Sequence, residues 1–258
     1  MSTTETSHEA AFQLSDLTKQ FGDFTAVDAV DLAVPTGSFY GLVGPNGAGK
    51  TTLLSMAVGL IRPTAGTSSV HGHDVWHDPL AAKKALGVLP ESDFLPRRLT
   101  GSELLTSVGL LRGLAADVVA ERSAELLHVL DLIDASGTVV ADYSTGMRKK
   151  IALAVALLHG PKVLILDEPL ESVDPVSAST IRTILTGFTS TGGTVVFSSH
   201  VMPLVEALCD HVAILSAGRV VAAGTLDEVR RGQSLDTAFA ELIGSDDTSK
   251  ETLSWFAS

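Results

Sequence analysis

A chain of 258 residues can bury the core of one large α/β domain, with room for a sizeable insertion. Its 18 basic and 30 acidic side chains leave a net charge of −12, the wrong sign for a protein whose main partner is a phosphate backbone, so composition speaks against nucleic acid. Cys209 is the single cysteine, which excludes an intrachain disulfide and a cysteine-rich metal site and suits a reducing compartment.

Residues 1–9 are polar and lack the basic start and apolar stretch of a secretory signal, so they read as a flexible N-terminal tail. Between residues 11 and 34, Leu14, Leu17, Val27, Val30, Leu32 and Val34 predict short, partly exposed antiparallel strands. Ser38 to Val43 then predicts a buried strand, and Lys50 to Leu60 a helix. Between the two stands Gly44-Pro45-Asn46-Gly47-Ala48-Gly49-Lys50-Thr51, the full GxxxxGK[ST] spacing of a phosphate-cradling loop. Its glycines let successive backbone N–H groups turn inward on phosphates, Lys50 adds a mobile positive charge, and Thr51 offers a hydroxyl to Mg²⁺. The positive N-terminal end of the helix, with Thr52 in its first turn, faces the anion. Strand, loop and helix in this order point to a nucleoside triphosphate.

Further along, Arg62 to Thr67 predicts a turn, Ser69-Val70 a short strand and Leu86 to Leu89 a buried strand. Thr100-Gly101-Ser102-Glu103 has the spacing of a capping box, continued by Leu104, Leu105, Val108 and Leu111 as an amphipathic helix. Helices over Val118–Leu132 and Thr145–Leu158 follow. Strand signals resume at Val163–Asp167, Thr194–Ser198 and His211–Leu215, separated by helical segments. The pattern is a helix-flanked, largely parallel sheet, interrupted over residues 91–160 by an α-helical insertion. Thr225-Leu226-Asp227-Glu228 can cap another helix. The longest unbroken apolar run, Ile151 to Leu158, is far short of the roughly 20 residues a membrane-spanning helix needs.

The strand Val163-Leu164-Ile165-Leu166 ends in Asp167-Glu168-Pro169, two adjacent carboxylates where an open α/β sheet exposes the C-terminal ends of its strands. Asp167 would hold Mg²⁺, directly or through water, and Glu168 would polarise an attacking water. A helix start is the other role such an Asp-Glu-Pro can play.

Together with the loop at Gly44 and the Asp167-Glu168 strand, Tyr143-Ser144-Thr145-Gly146-Met147 resembles the signature, usually Leu-Ser-Gly-Gly-Gln, of the ATP-binding cassette (ABC) transporter ATPases. The resemblance covers about residues 11 to 230. It implies an α/β P-loop NTPase (RecA-like) core with an antiparallel β subdomain and an α-helical insertion subdomain. The divisions expected are residues 10–90 and 161–224 for the ATP-binding core, 91–160 for the helical signature subdomain, and 225–258 for C-terminal helices and a tail. It also implies ATP and Mg²⁺ as ligands, and a homodimer or a dimer with a homologous cassette, in which Ser144, Thr145 and Gly146 of one copy meet the γ-phosphate held by the other. Ser144 is a plausible N-cap, and the helix N-terminus behind it carries about half a positive charge.

Three further segments extend the likeness. Phe21 in Gln20-Phe21-Gly22 sits where the family stacks an aromatic ring on adenine, although ordinary core packing would also suit it. Asp174 in Val173-Asp174-Pro175 resembles the loop linking the two sites and is equally a good helix start. His200, after Phe197-Ser198-Ser199, resembles the switch histidine at the γ-phosphate. Two positions depart from the pattern: Thr145 replaces a glycine, and Glu91 replaces a glutamine that contacts Mg²⁺ and relays its state to the membrane partner. The likeness implies an ATPase subunit at the cytoplasmic face of a membrane, bound to a separate integral permease, and its motif style is that of exporters. A soluble ABC-type ATPase or an ATP sensor outside transport is the alternative.

Overall fold

The computed structural model describes residues 10–90 and 95–244. In chain order the elements are β1 (Ala10–Phe21), β2 (Phe24–Pro35), β3 (Phe39–Val43), α1 (Lys50–Ala57), β4 (Ala65–Val70), β5 (His73–Asp74), α2 (Pro79–Ala85) and β6 (Leu86–Leu89). Then come α3 (Gly101–Leu111), α4 (Ala116–Val129), α5 (Thr145–Leu157), β7 (Val163–Leu166), α6 (Pro175–Ser190), β8 (Thr194–Ser199), α7 (Met202–Leu208), β9 (His211–Ser216), β10 (Arg219–Thr225), α8 (Leu226–Arg230) and α9 (Leu235–Ile243). The expected residues 1–9 tail, Glu91 and Trp255-Phe256 lie outside the described residues.

Six strands form one sheet in the order β10-β9-β3-β8-β7-β6, parallel except for the antiparallel edge pair β9/β10. Its inner strands read as unbroken apolar runs because both faces are covered. In β7 the two-residue period sends Leu164 and Leu166 to one core cluster and Val163 and Ile165 to the other. The first cluster is closed by α5, α6 and α7, with α3 and α4 packed beyond. The second is closed by α1, which lies between this sheet and a four-stranded antiparallel sheet of order β2-β1-β4-β5. This is the P-loop NTPase core with its antiparallel β and α-helical subdomains.

Several expectations need correction. The two N-terminal strands are antiparallel as expected but are 12 residues each rather than short. Leu14, Leu17, Val27, Val30, Leu32 and Val34 are buried on the face that α1 seals, while positions between them are exposed, so the strands are partly exposed as expected. The loop helix stops at Ala57 rather than Leu60, where Gly59 takes a left-handed φ of 80° and closes the end. The strand expected at Ser69-Val70 begins at Ala65, inside the expected turn, since pairing with β1 extends it. The Val118–Leu132 helix runs from Ala116 to Val129 and ends before Asp131, which has a left-handed φ of 55°.

Topology then determines what can meet. Loops leaving β3, β7, β8 and β6 all emerge at one edge, because these strands are parallel neighbours with Val43 opposite Ser199, Leu166 opposite Phe197 and Leu89 opposite Leu166. β3 lies between β8 and β9, so the chain on either side of it returns to opposite sides of the sheet and leaves a crevice at its C-terminal end.

Candidate functional site

The crevice is walled by the loop between β3 and α1. Gly47 and Gly49 take φ values of 80° and 102°, and a Cβ at Gly49 would lie 2.5 Å from the Ala26 carbonyl oxygen. A Cβ at Gly44 would collide with the Leu215 carbonyl. The glycines therefore hold a curl that other residues could not adopt. α1 opens with Gly49 as its N-cap, no capping side chain and no acidic residue in its first turn, so no local negative charge offsets its positive end, which suits an anion.

Lys50 is buried, and its Nζ donates to the carbonyls of Gly44 (2.8 Å) and Pro45 (3.3 Å). The same ammonium lies 3.9 Å from Glu168 Oε1. A cavity of about 460 Å³ is lined by Asn46 to Thr52, Phe24, Ala26, Glu168, Glu171 and His200. Asp167 lines an adjoining, mostly apolar cavity of about 390 Å³ that shares Thr51.

Asp167 and Glu168 are both buried. Ser198 Oγ donates to Asp167 Oδ1 (2.5 Å) and accepts from the Glu168 N–H (2.9 Å), so one hydroxyl orients both acidic residues. Glu168 Oε1 lies 3.1 Å from His200 Nδ1. Burial raises the Glu168 pKa; His200 and Lys50 pull it back, and Glu171 adds to the rise. A buried carboxyl with a raised pKa, held beside a cation and a histidine, has the character of a general base. The helix-start alternative for Asp167-Glu168-Pro169 does not hold, since α6 starts only at Pro175.

Phe21 is exposed rather than packed in the core, with Lys19 Nζ 5.0 Å from its ring centroid. Its cross-strand partner Phe24, also exposed, is the aromatic ring that lines the cavity. Sequence reading missed Phe24, although an aromatic just beyond the Gly22-Asp23 turn was a usable signal. It also missed Ser198, whose role depends on β8 lying beside β7. Glu91 lies outside the described residues.

Ser144, Thr145, Gly146 and Asp174 gather elsewhere. Ser144 caps α5, its Oγ accepting from the Met147 N–H (3.2 Å), and Asp174 caps α6 by accepting from the N–H groups of Val176 and Ser177. A Cβ on Gly146 would lie 2.7 Å from Asp174 Oδ2, so only glycine lets the two helix starts approach this closely. Ser144 and Thr145 are exposed, and none of these four residues lines the cavity at the phosphate loop. Tyr143, where the signature usually has leucine, is buried and donates its hydroxyl to the Ala135 carbonyl (2.7 Å).

Residues 27–171 match the family model described as ABC transporter. The daunorubicin/doxorubicin resistance ATP-binding protein DrrA of Streptomyces peucetius is 36% identical over 220 residues, covering 85% of this chain and 67% of that protein. The bacitracin transport ATP-binding protein BcrA of Enterococcus faecalis is 34% identical over 232 residues, covering 90% of this chain and 74% of its own length. A solved structure described as the ATP binding subunit of an ABC transporter superposes with a TM-score of 0.84 at 30% identity, covering 90% of this chain and 99% of that one. With the phosphate loop, the paired carboxylates and the signature turn all in place on this fold, the chain belongs to the ABC transporter family, as an ATP-binding and ATP-hydrolysing subunit.

Proposed function

We propose that this chain powers export through a separate integral membrane permease, bound to its cytoplasmic face, and that it works as a homodimer or as a dimer with a homologous cassette. The observation that carries the reading is the separation of the candidate residues into two groups. The phosphate loop, Glu168 and His200 share one cavity, whereas Ser144, Thr145 and Asp174 are exposed together outside it. A nucleotide on the loop is thereby left open on the side that a second copy's signature would close. The names of relatives, which include drug resistance and bacitracin transport, support export. Among the described residues no helix is long and apolar enough to cross a membrane.

In this reading Lys50 exchanges its two loop carbonyls for phosphate oxygens, and Phe24 or Phe21 stacks on the base. Glu168 takes a proton from the attacking water, while His200, with Nδ1 on Glu168, keeps Nε2 for the γ-phosphate. Among the described residues no group of three or more His, Cys, Asp or Glu side chains could hold a metal by itself. Thr51 and Asp167 line one cavity, which fits Mg²⁺ arriving with the triphosphate oxygens; Mg²⁺ would neutralise charge developing on the phosphates. Glu91 remains a candidate for the same ion.

We read residues 10–90 and 161–224 as the ATP-binding core, 91–160 as the helical subdomain and 225–258 as the C-terminal part. An apolar groove of about 490 Å³ lies among β6, α3 and α5 and is lined by Leu89, Pro90, Leu104, Val108, Ala152 and Val155 among others. Its place beside the Asp167 cavity supports it as the seat for a cytoplasmic loop of the permease.

The test is Glu168→Gln. The variant should keep Mg-ATP binding, accumulate as a dimer in light scattering, and lose turnover by roughly 10²-fold or more. Unchanged turnover would instead favour an ATP sensor, and membrane extracts yielding no polytopic partner would favour a soluble ATPase.

A further inference from the structure

Glu168 has a left-handed backbone, with φ of 45°, which an L-residue with a long side chain adopts only when its surroundings enforce it. Its N–H is held by Ser198 Oγ (2.9 Å). On its other side the next residue is Pro169, which has no N–H, so the Glu168–Pro169 peptide has its carbonyl as its one polar handle. That carbonyl accepts a short hydrogen bond from Lys149 Nζ (2.9 Å) and a longer one from the Glu171 N–H (3.3 Å).

Lys149 belongs to α5, one turn after Thr145 in the helix that begins with the signature residues. The same side chain also lines the apolar groove among β6, α3 and α5. One lysine thus touches the backbone of the buried carboxylate, rides on the signature helix and borders the groove.

We propose that Lys149 is a positioning residue for the Glu168 carboxylate, making turnover depend on where α5 stands relative to the sheet. With α5 in its present place, the ammonium pins the 168–169 peptide and keeps Glu168 Oε1 within reach of His200 and Lys50. A shift of α5 breaks that bond and leaves only the longer one from Glu171, so the peptide relaxes toward negative φ and the carboxylate moves off its partners. Movement of the helical subdomain then gates the base without touching bound nucleotide. The inference rests on the reading of Glu168 as the general base.

The test measures kcat, KM for ATP and nucleotide Kd in the full chain carrying Lys149→Met or Lys149→Arg, with melting temperature as control. Misplacing a reacting group by about an ångström can cost up to about a hundredfold, so Lys149→Met should lower kcat by about tenfold or more. KM and Kd should stay within about twofold, since the glycine loop and the bonds from Lys50 to the Gly44 and Pro45 carbonyls are untouched. Lys149→Arg, which keeps a charged donor, should recover most of the loss. Wild-type kcat in Lys149→Met overturns the proposal, and so does a parallel loss of kcat, affinity and melting temperature that Lys149→Arg fails to rescue. Failure of the underlying reading looks different: Glu168→Gln would then turn over like wild type, whatever happens at Lys149.

Discussion

Thr145 occupies a signature position where glycine is usual, and the structure shows how the side chain is accommodated. Arg148 reaches back one turn, with Nη1 donating to the Tyr143 carbonyl (2.6 Å) and Nη2 to Thr145 Oγ1 (3.3 Å). The hydroxyl is thus held against its own helix, and the backbone N–H of residue 145 is kept as in a glycine signature. Thr145→Gly is therefore expected to leave steady-state phosphate release within about threefold of wild type, under about 1 kcal/mol of barrier. A silent native chain that Thr145→Gly brings to full activity would contradict this. Lys50, Thr51, Asp167, Glu168 and His200 were legible in the sequence because each sits at a fixed offset from a glycine turn or a strand end. Ser198 and Lys149 were not, since their roles come from contacts with residues distant along the chain, such as Ser198 with Asp167, 31 positions away.

Helix starts were the most legible elements, because caps are local chemistry. Thr100 and Glu103 form the reciprocal pair expected of a capping box, with Glu103 N–H on Thr100 Oγ1 (3.2 Å) and Thr100 N–H on Glu103 Oε2 (2.9 Å). Ser144 and Thr225 cap their helices in the same way as the sequence suggested. Thr100→Ala should cost about 1 kcal/mol of stability. In a protein of this size that is a fall of about 2–4 °C in melting temperature, measured calorimetrically, with nucleotide affinity unchanged. Strand ends and helix ends were less legible. β1 and β2 are long because they pair with each other along their length, and β10, unanticipated from its mixed small residues, exists because the left-handed pair Ala217-Gly218 folds it back on β9.

Just beyond the end of α5, a half-buried histidine ties the chain to the start of β6. His159 Nε2 donates to the Leu86 carbonyl (3.0 Å), while Nδ1 is buried without a hydrogen-bond partner. Burial, then the positive charge of Arg112, push its pKa down from 6.5 to about 4, despite the bond to Leu86. The unfolded chain binds this proton more readily than the folded one. Stability from the neutral ring is therefore complete above 6.5 and is lost as pH falls through that value toward about 4. Denaturant midpoints measured across this window should decline more steeply for wild type than for His159→Gln, and parallel curves would refute the assignment.

The amino-acid order settled the chemistry, because the phosphate loop, the paired carboxylates and the helix caps each depend on neighbours a few bonds apart, whose types and spacing carry their function. Which of these meet was settled by strand order: parallel pairing of β3, β8 and β7 brings Lys50, His200 and Glu168 to one edge, and the approach of α5 to α6 gathers Ser144 and Asp174 at another. Such meetings depend on burial of both sheet faces across the entire chain, a sum of many weak contacts that no short stretch of residues contains.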